Sequence, residues 1–346
     1  MEAERVTMKR VTIRQVAREA GVSTQTVSRV LNERPDVAAE TRKLVREVIA
    51  RLDYEPSAIA RSLVSRRTYT LGLITSDFTD YFFTQVFVGA TEEARQHGYY
   101  FMLSSTEHNS EDEPECIRLL TQHHVAGILL ARPGLQSDDD RVLRLLRGGV
   151  AVVAAVYHPP GAQLLTVDVD NVDGGSQATS CLLNNGHHRV AMIAGPARWR
   201  SVCDRATGYR AALEAAGIPY DPTLIVEGDW SYASGYRAMR QLLAGGCVFS
   251  ALFAQNDRMA IGAIRALREA GRRVPDDVAV VGYDDIPVAE YCDPPLTTVH
   301  QPMQEVGRMA TRLLIMAIEI PGGLGEEVRL KAYLVRRDSC GTPVAS

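Results

Sequence analysis

At roughly 100–200 residues per domain, a chain of 346 residues has room for two or three domains that each bury a core. The composition, 46% hydrophobic and 23% charged, is that of a globular protein, and no apolar run reaches the ~18 residues that a membrane span needs. The net charge of −4 is uneven, because residues 1–67 carry 14 Lys and Arg against 9 Asp and Glu. A basic first segment on an acidic remainder favours contact of that segment with a polyanion.

The first predicted elements are two short helices in IRQVAREAGVSTQTVSRVLN, residues 13–32. Apolar residues recur at helical spacing on both sides of Gly21, which suits a tight turn. Thr12 and Ser23 can cap the two helices by accepting bonds from free backbone N–H groups. When the second helix packs on its valines, its opposite face carries Thr24 at the tip and then Gln25, Ser28, Arg29 and Asn32.

Such a helix is suited to the major groove of DNA, because Gln and Arg side chains read base edges there. The alternative is an ordinary helical hairpin whose polar face is only solvated. A third amphipathic helix is predicted at residues 39–52, and the tight helix–turn–helix followed by this helix favours the DNA-binding interpretation.

A short helix is predicted after Pro56, in SAIARSLVSRR, where Ser57 can act as a cap. Residues 58–63 make fewer than two turns, and a helix that short is marginal in water unless something holds it. Arg61 is placed for phosphates, and Leu63 is a candidate apolar wedge for a base step. The alternative is a flexible linker.

From Leu71 onward, short β-rich runs alternate with amphipathic helical runs, which predicts two doubly wound α/β lobes in tandem. Each apolar run has the length of a strand buried on both faces of a parallel sheet. Ligands of such sheets bind beyond the carboxyl ends of the strands. The residues at those ends are mostly polar or aromatic: Asp77, Arg132, Trp230, Asn256, Asp257, Asp284 and Asp285.

Several segments follow each other in a specific order: VTIRQVAREAGVSTQTVSRVLN, TRKLVREVIARLDYEPSAIARSL, VDNVDGG, HHRVAMIAGP, EGDWSYASGY, FAQNDRMAIGAI, VAVVGYDD and PPLTTVHQP. In this order and spacing, the chain resembles the lactose/galactose repressor (LacI/GalR) family of bacterial transcription factors over essentially its full length. The resemblance implies an α + α/β fold, with an N-terminal helix-turn-helix head and hinge helix before a two-lobed periplasmic-binding-protein-like α/β core.

The implied domains are the DNA-binding head at residues 1–56, the hinge helix and linker at 57–68, and the effector-binding and dimerisation core at 69–346. Within the core, the implied N-lobe covers about 69–166 and 299–328, and the implied C-lobe covers about 167–298 and 329–340.

The resemblance also implies a homodimer on a palindromic operator of double-stranded DNA. Thr24, Gln25 and Arg29 match the base-reading positions, and Leu63 matches the leucine that enters the central minor groove. The chain stops soon after LVRRDSCG without a leucine heptad, so we expect a simple dimer. The full set of expected DNA-binding residues is Thr12, Ser23, Thr24, Gln25, Thr26, Ser28, Arg29, Asn32, Ser57, Ala60, Arg61 and Leu63.

The resemblance places a small-molecule effector between the lobes. Guanidinium, carboxylate and amide groups each make paired hydrogen bonds with vicinal hydroxyls, and an indole offers a flat face, so a sugar is the expected ligand. The alternatives are helix caps for Asn256 and Asp284, lobe packing for Trp230 and a surface ion pair for Arg205. The residues that match the family's pocket are Ser76, Asp80, Tyr81, Phe82, Arg205, Trp230, Asn256, Asp284 and Gln301.

The chain also departs from the family pattern. Ala131 and Val156 stand where the lactose repressor has a pocket asparagine and aspartate, so galactoside specificity is not expected to carry over. Ala38 replaces the usual serine before the third helix, and a cap of ~1 kcal/mol is expected to be lost.

The expected function is a repressor that a sugar-like effector releases from its operator, with a corepressor-dependent regulator as the alternative. A solute-binding protein without DNA activity is less favoured, because MEAERVTMKR shows no secretory signal and the first 63 residues would be unexplained. For the same reason we expect a cytoplasmic protein without membrane contact. We expect no enzyme, cofactor, metal or catalytic residue, since GxxxxGK[ST] and GxGxxG do not occur and the six cysteines form no CxxC.

Overall fold

The computed structural model describes residues 11–31, 33–54, 68–106, 112–131, 144–146, 148–156, 164–320 and 327–341. The chain divides between Thr68 and Tyr69 into a small helical unit and a large α/β unit. None of the helices in the described ranges combines the length and the apolar character needed to cross a lipid bilayer.

The small unit contains helices α1 (Ile13–Glu19), α2 (Thr24–Leu31) and α3 (Ala39–Arg51). Gly21 makes the turn after α1 with φ +63°, a left-handed conformation that costs glycine little. Leu44 is 45% exposed, because its neighbours Val45 and Val48 occupy the inner face of α3. The buried side chains that hold these helices together are Val16, Ala17, Ala20, Val27, Val30, Val45, Val48 and Tyr54.

The large unit alternates strands and helices as its sequence predicts. It begins with β1 (Thr70–Thr75), α4 (Tyr81–Gln96), β2 (Tyr100–Ser105), α5 (Glu113–Gln122), β3 (Gly127–Ala131), β4 (Ala151–Ala155) and β5 (Leu165–Val169). The chain continues through α6 (Asn171–Asn184), β6 (Val190–Ala194), α7 (Arg200–Ala215), β7 (Ile225–Glu227), α8 (Tyr232–Ala244), β8 (Ala251–Ala254), α9 (Asp257–Glu269) and β9 (Ala279–Val281). It ends with β10 (Thr298–His300), α10 (Met303–Glu319), β11 (Glu327–Leu330) and β12 (Tyr333–Val335), and short 3-10 turns lie at Pro222–Leu224, Pro287–Tyr291 and Asp338–Cys340.

The strands build an N-lobe sheet in the order β11-β5-β4-β3-β1-β2 and a C-lobe sheet in the order β7-β6-β8-β9. Neighbouring strands in both sheets are parallel, whereas β10 and β12 form a separate antiparallel pair. Helices α4 and α10 pack against each other in the N-lobe, as do α6 with α7 and α8 with α9 in the C-lobe. This architecture confirms the predicted combination of a helical head and a doubly wound α/β core.

The expectation that each apolar run is buried on both faces is wrong for β2 and β7. Both strands lie at the edge of their sheets, and Tyr100 on β2 is 70% exposed. An edge strand pairs on one side only, so its side chains are less covered by helices than those of a central strand.

The N-lobe sheet ends close to the approximate limits near residues 166 and 328 that the resemblance implies. Strand β5 continues to Val169 and β11 to Leu330, and these two residues are partners in the parallel register. Hydrogen bonding between the strands therefore keeps them in one sheet until the chain leaves it for α6.

Candidate DNA-binding and effector sites

The polar face of α2 is exposed, as its residue pattern predicts. Thr24, Gln25 and Arg29 are exposed and Thr26 and Ser28 are half-buried, while valines on the opposite face are fully covered. These side chains are therefore presented outward on a helix whose inner face is fixed to α1 and α3. Such a surface can enter a major groove without unfolding the unit.

Thr12 and Ser23 act as helix caps in the described structure. The side chains of Thr12 and Gln15 form a capping box at the start of α1. Ser23 Oγ accepts a hydrogen bond from the amide of Thr26 at 3.1 Å. Any role of these two hydroxyls toward DNA would come in addition to capping.

Arg29 is held by a weak ion pair rather than by burial. Its Nη1 lies 3.6 Å from Oδ2 of Asp36, and both side chains are about half exposed. Because exposed pairs of this kind contribute ~0–1 kcal/mol, Arg29 can exchange Asp36 for a base edge at low cost. The other expected DNA-binding residues lie outside the described residues: Asn32, Ser57, Ala60, Arg61 and Leu63.

The core places many of the expected effector residues just after the carboxyl ends of strands. Ser76 follows β1, Asn256 follows β8 and Gln301 follows β10, while Trp230 and Asp284 lie shortly beyond β7 and β9. This edge is where open parallel sheets bind ligands. Arg205 lies over the ring of Trp230, and Asn256 bonds to the carbonyl of Trp230. Gln301 bonds separately to Asp284.

Arg205 is the fixed centre of this group. It is 4% exposed, its Nε donates to Oδ1 of Asn171 at 2.9 Å, and its Nη1 donates to the carbonyl of Gln255 at 2.6 Å. The guanidinium carbon lies 3.8 Å from the ring centroid of Tyr283 and 5.9 Å from that of Trp230. The alternative of a surface ion pair does not describe Arg205, because its side chain is buried and bonds to Asn171 and Gln255. Asp204 pairs with Arg200 at 3.2 Å.

Trp230 is held in a defined position by its backbone and by Gly195. Its φ is +73°, which is unusual for a bulky residue, and its carbonyl accepts a hydrogen bond from Nδ2 of Asn256 at 3.1 Å. A Cβ on Gly195 would lie 2.2 Å from Cζ2 of the indole, so only glycine permits this close approach. Among the described residues, no group accepts a hydrogen bond from the buried Nε1 of Trp230.

Asn256 caps a helix, which is one of the two interpretations that the sequence left open, and it also holds Trp230. Its Oδ1 accepts from the amide of Met259 at 2.9 Å and so caps α9, while its Nδ2 bonds to Trp230. An asparagine can do both because its amide carries a donor and an acceptor group.

Asp284 holds its carboxyl group in surroundings that raise its pKa. Its φ is +113°, and its Oδ1 accepts a hydrogen bond from Nε2 of Gln301 at 2.6 Å. Loss of water around it raises its pKa to about 7, although the charge of Arg205 acts in the opposite direction. The neighbouring Asp257 is fully buried, and burial likewise raises its pKa well above the ordinary value.

The N-lobe residues of the expected pocket lie at the start of α4. Asp80 caps this helix by accepting from the amide of Phe82 at 2.9 Å, and it also forms an ion pair with Arg258 of the C-lobe. Tyr81 is 40% exposed, and partial burial together with the charge of Asp285 raises the pKa of its hydroxyl. Phe82 packs edge-on against Phe83, with ring centroids 5.2 Å apart.

Ser76 is 6% exposed, and its carbonyl accepts from the hydroxyl of Ser105 at 3.2 Å. This hydrogen bond lies within the N-lobe.

Sequence reasoning missed several residues that complete this region. Asn171 and Gln255 anchor Arg205, Arg258 bridges to Asp80, and Trp199 lies with its ring centroid 5.2 Å from that of Trp230. Asn171, Gln255 and Arg258 bond to partners far away in the chain, so no short sequence motif indicates these contacts. Trp199 could have been found, because an indole just before a helix is an unusual choice.

The titratable side chains of the described ranges form no cluster of His, Cys, Asp and Glu that could hold a metal ion. All six cysteines are described, and none of them is in a disulfide. The side chains around Arg205 are hydrogen-bonding and aromatic groups, which suit binding of a polar ligand with apolar faces.

Comparison with known families agrees with this picture in both units. Residues 12–57 match the family described as bacterial regulatory proteins, lacI family. Residues 179–340 match the periplasmic binding protein-like domain.

Individual proteins match over nearly the whole chain. The HTH-type transcriptional regulator CelR of Thermobifida fusca is 42% identical over 343 residues, which are 96% of this chain and 98% of that protein. A solved CelR–cellobiose complex is 39% identical with a TM-score of 0.73, covering 95% of this chain and 100% of that one. The lac repressor dimer bound to operator and the anti-inducer ONPF is 30% identical with a TM-score of 0.87. The match covers 96% of this chain and 100% of that one.

Proposed function

The chain belongs to the lacI family of bacterial regulatory proteins, and from that premise we propose that it is a cytoplasmic, non-enzymatic repressor that a sugar releases from a palindromic operator. It is a DNA-binding transcriptional regulator, and each α2 helix of a dimer would read one half-site. The proposed domain division is a head at 1–56, a hinge at 57–68 and an effector-binding core at 69–346.

The observation that carries the sugar proposal is that Arg205 lies over the ring of Trp230, with the carboxyl group of Asp284 near enough for the charge of Arg205 to act on it. This arrangement offers an anchored guanidinium, an indole and a carboxyl group within one small region. Vicinal hydroxyls can pair with the polar groups, and the C–H face of a pyranose ring can lie on the indole. The unpartnered Nε1 of Trp230 also supports a ligand, because a buried N–H without a partner costs ~1–3 kcal/mol and an oxygen acceptor would remove that cost.

The related CelR structure contains cellobiose, which makes that sugar the first candidate to test. Moving a two-state population from about 1:99 to 99:1 takes ~5.5 kcal/mol of differential binding. Several hydrogen bonds from both lobes, together with stacking on an indole, can supply a difference of that size. The expected chain of events is that the sugar closes the lobes, the two hinges of the dimer separate, and base contacts are lost.

The test begins with a twofold-symmetric duplex selected from a random pool by the purified dimer. We expect tight binding to this duplex and at least a tenfold weakening by saturating cellobiose or another sugar, measured by fluorescence anisotropy at fixed salt. Binding without preference for any symmetric site would contradict the regulator. A metabolite that tightens binding would instead indicate corepression and would contradict release by a sugar.

Arg205→Ala is expected to bind the selected duplex as the wild type does and to lose the sugar response. Arg200→Ala is the matched control, since Arg200 lies on the same helix and pairs with Asp204 rather than with the cleft group. Thermal melting of both variants checks that the core stays folded. An Arg205→Ala protein that still responds fully would remove this residue from the site.

A further inference from the structure

One face of α6 holds β12 and the residues that follow it. Gln177, Cys181 and Asn185 are spaced four residues apart along this helix and its C-cap, so their side chains share a face. The side-chain oxygen of Gln177 accepts a hydrogen bond from the backbone N–H of Leu334 at 3.1 Å. At the other end of the face, Nδ2 of Asn185 donates to the carbonyl of Cys340 at 2.6 Å.

The middle residue of this face, Cys181, meets the thiol of Cys340. Cys181 is 3% exposed and Cys340 is 1% exposed, and the thiol of Cys181 donates a hydrogen bond to the sulfur of Cys340. The bond from Asn185 to the carbonyl of Cys340 places that residue against the same helix, one turn beyond Cys181. Two cysteines far apart in the chain are therefore in direct contact, and we call them the thiol pair.

The surroundings of the thiol pair favour ionisation of one sulfur. The hydrogen bond from Cys181 lowers the pKa of the Cys340 thiol, although burial acts in the opposite direction. The same bond raises the pKa of Cys181, because the donor must keep its proton. The charge of Arg336, whose side chain donates to Oδ1 of Asn185 at 3.4 Å, favours the thiolate of either cysteine.

The thiol pair lies close to solvent along the chain. Gly341, the neighbour of Cys340, is half-buried, and its carbonyl accepts a hydrogen bond from the neutral thiol of Cys340 at 3.4 Å. The sulfur is therefore one residue away from a position that solvent touches. A molecule as small as hydrogen peroxide can reach it through local opening of the chain.

A buried cysteine by itself is inert, because nothing ionises it and no second sulfur can trap its oxidised form. We propose that Cys181 and Cys340 are a redox-responsive pair that hydrogen peroxide converts into a disulfide. The disulfide would join α6 covalently to the segment after β12, which hydrogen bonds alone hold in the reduced protein.

The reaction has two steps. The thiolate of Cys340 attacks one oxygen of the peroxide, and the O–O bond breaks to give a sulfenic acid and hydroxide, which takes up the proton of the Cys340 thiol as water. The sulfur of Cys181 then attacks the sulfenic sulfur, so that an S–S bond forms and a second water leaves with the proton of Cys181. Two thiols and one peroxide thus become one disulfide and two waters, and the peroxide takes up the two electrons that the sulfurs lose.

The test begins with reduced full-length protein, which is freed of reductant, treated with hydrogen peroxide and quenched with catalase. The protein is then unfolded in the presence of N-ethylmaleimide and digested with trypsin for mass spectrometry. We expect most molecules to yield a peptide that joins Cys181 to Cys340 and lacks two hydrogen atoms. Dithiothreitol should remove this peptide and restore maleimide labelling of both cysteines.

The disulfide should also make the large unit more stable. It closes a loop of about 160 residues and so restricts the unfolded chain more than the folded one. We expect the thermal midpoint of the peroxide-treated protein to exceed that of the reduced protein by at least about 3 °C. Dithiothreitol should reverse this gain.

Cys203→Ser is the matched control, because it removes an exposed cysteine and leaves the thiol pair intact. This variant should form the cross-link and gain stability as the wild type does, whereas Cys181→Ser should do neither. Full maleimide labelling of Cys181 and Cys340 after peroxide treatment would overturn the proposal, as would cross-links from either of them to a third cysteine. If Cys181→Ser does not fold, the peptide map of the wild type decides between these outcomes.

Discussion

Asp168 lies on β5, 9% exposed, and its Oδ1 accepts a hydrogen bond from the amide of Val169 at 2.7 Å. Burial raises the pKa of this carboxyl to about 7, although that hydrogen bond and the charge of Arg205 act in the opposite direction. In the unfolded chain the same group would have its ordinary pKa of about 3.9. At a pH between these two pKa values, Asp168 is protonated in the folded protein and ionised in the unfolded chain.

Folding should therefore become less favourable as the pH rises through this window. The free energy of unfolding falls by ~1.4 kcal/mol for each pH unit between the two pKa values, which amounts to a few kcal/mol in total. We expect urea unfolding at pH 5 and pH 7.5 to show a smaller decline for Asp168→Asn than for the wild type. Asp173→Asn, which changes an exposed acid on α6, is the control, and a decline in Asp168→Asn equal to that of the wild type would contradict the assignment.

Arg29 provides the second residue-level prediction. Each bidentate base contact is worth ~1–3 kcal/mol, so Arg29→Ala should weaken binding to the selected duplex by about 5- to 150-fold. Binding to random DNA should change much less, because phosphate contacts dominate there. Arg51→Ala is the control, since this exposed arginine of α3 pairs with Glu19 at 3.1 Å away from the α2 face. Equal losses on both DNAs in a titration would exclude base reading by Arg29.

The candidate effector residues could be chosen from the sequence by their type and by their position after strands, but their contacts could not. Arg205 and Gln255 are 50 positions apart and meet only because α7 and β8 belong to one lobe. The backbone conformation of Trp230 and the capping by Asn256 likewise depend on the folded environment. The sequence thus predicts which residue types are available to bind a ligand, but it does not predict hydrogen bonds between residues far apart in the chain.

At the scale of elements, the alternation of apolar runs correctly predicts the strands and helices of the core, because buried strands and amphipathic helices have different periods. Burial of individual strands was less predictable. Strand β2 is as apolar as its neighbours, yet its position at the sheet edge leaves Leu103 39% exposed. Sheet order is a tertiary property that no single run of residues encodes.

The start of α3 offers a test at this scale. Ala38 occupies the N-cap with φ −55° and ψ 142° and makes no side-chain cap bond, as its residue type predicts. Ala38→Ser should stabilise the DNA-binding unit by ~1 kcal/mol, because its hydroxyl can accept a free backbone N–H. Ala39→Ser, one position inside the helix, should bring no gain. Hydrogen exchange of the α3 amides in both variants measures the difference, and equal protection would show that no cap forms.

At the scale of the whole molecule, contacts between residues far apart in the sequence join the N-lobe to the C-lobe. Asp80 and Arg258 are 178 positions apart and form an ion pair that joins the start of α4 to the start of α9. Gln301 and Asp284 make a second connection near the cleft. A ligand that binds between these groups changes contacts in both lobes at once, which is what a ligand-dependent lobe closure requires.

The last prediction concerns how closure would reach the DNA. Leu63 lies outside the described residues, and the family resemblance implies that it enters the minor groove from a short helix that forms on the operator. Leu63→Ala should weaken binding to the selected duplex at least tenfold, which is ~1.4 kcal/mol, while sugar affinity and the thermal midpoint of the core stay unchanged. Ile59→Ala, an apolar truncation four residues earlier in the sequence, should have a smaller effect. If Leu63→Ala binds the duplex as tightly as the wild type, residues 57–68 act as a passive linker and the effector must control the heads by another route.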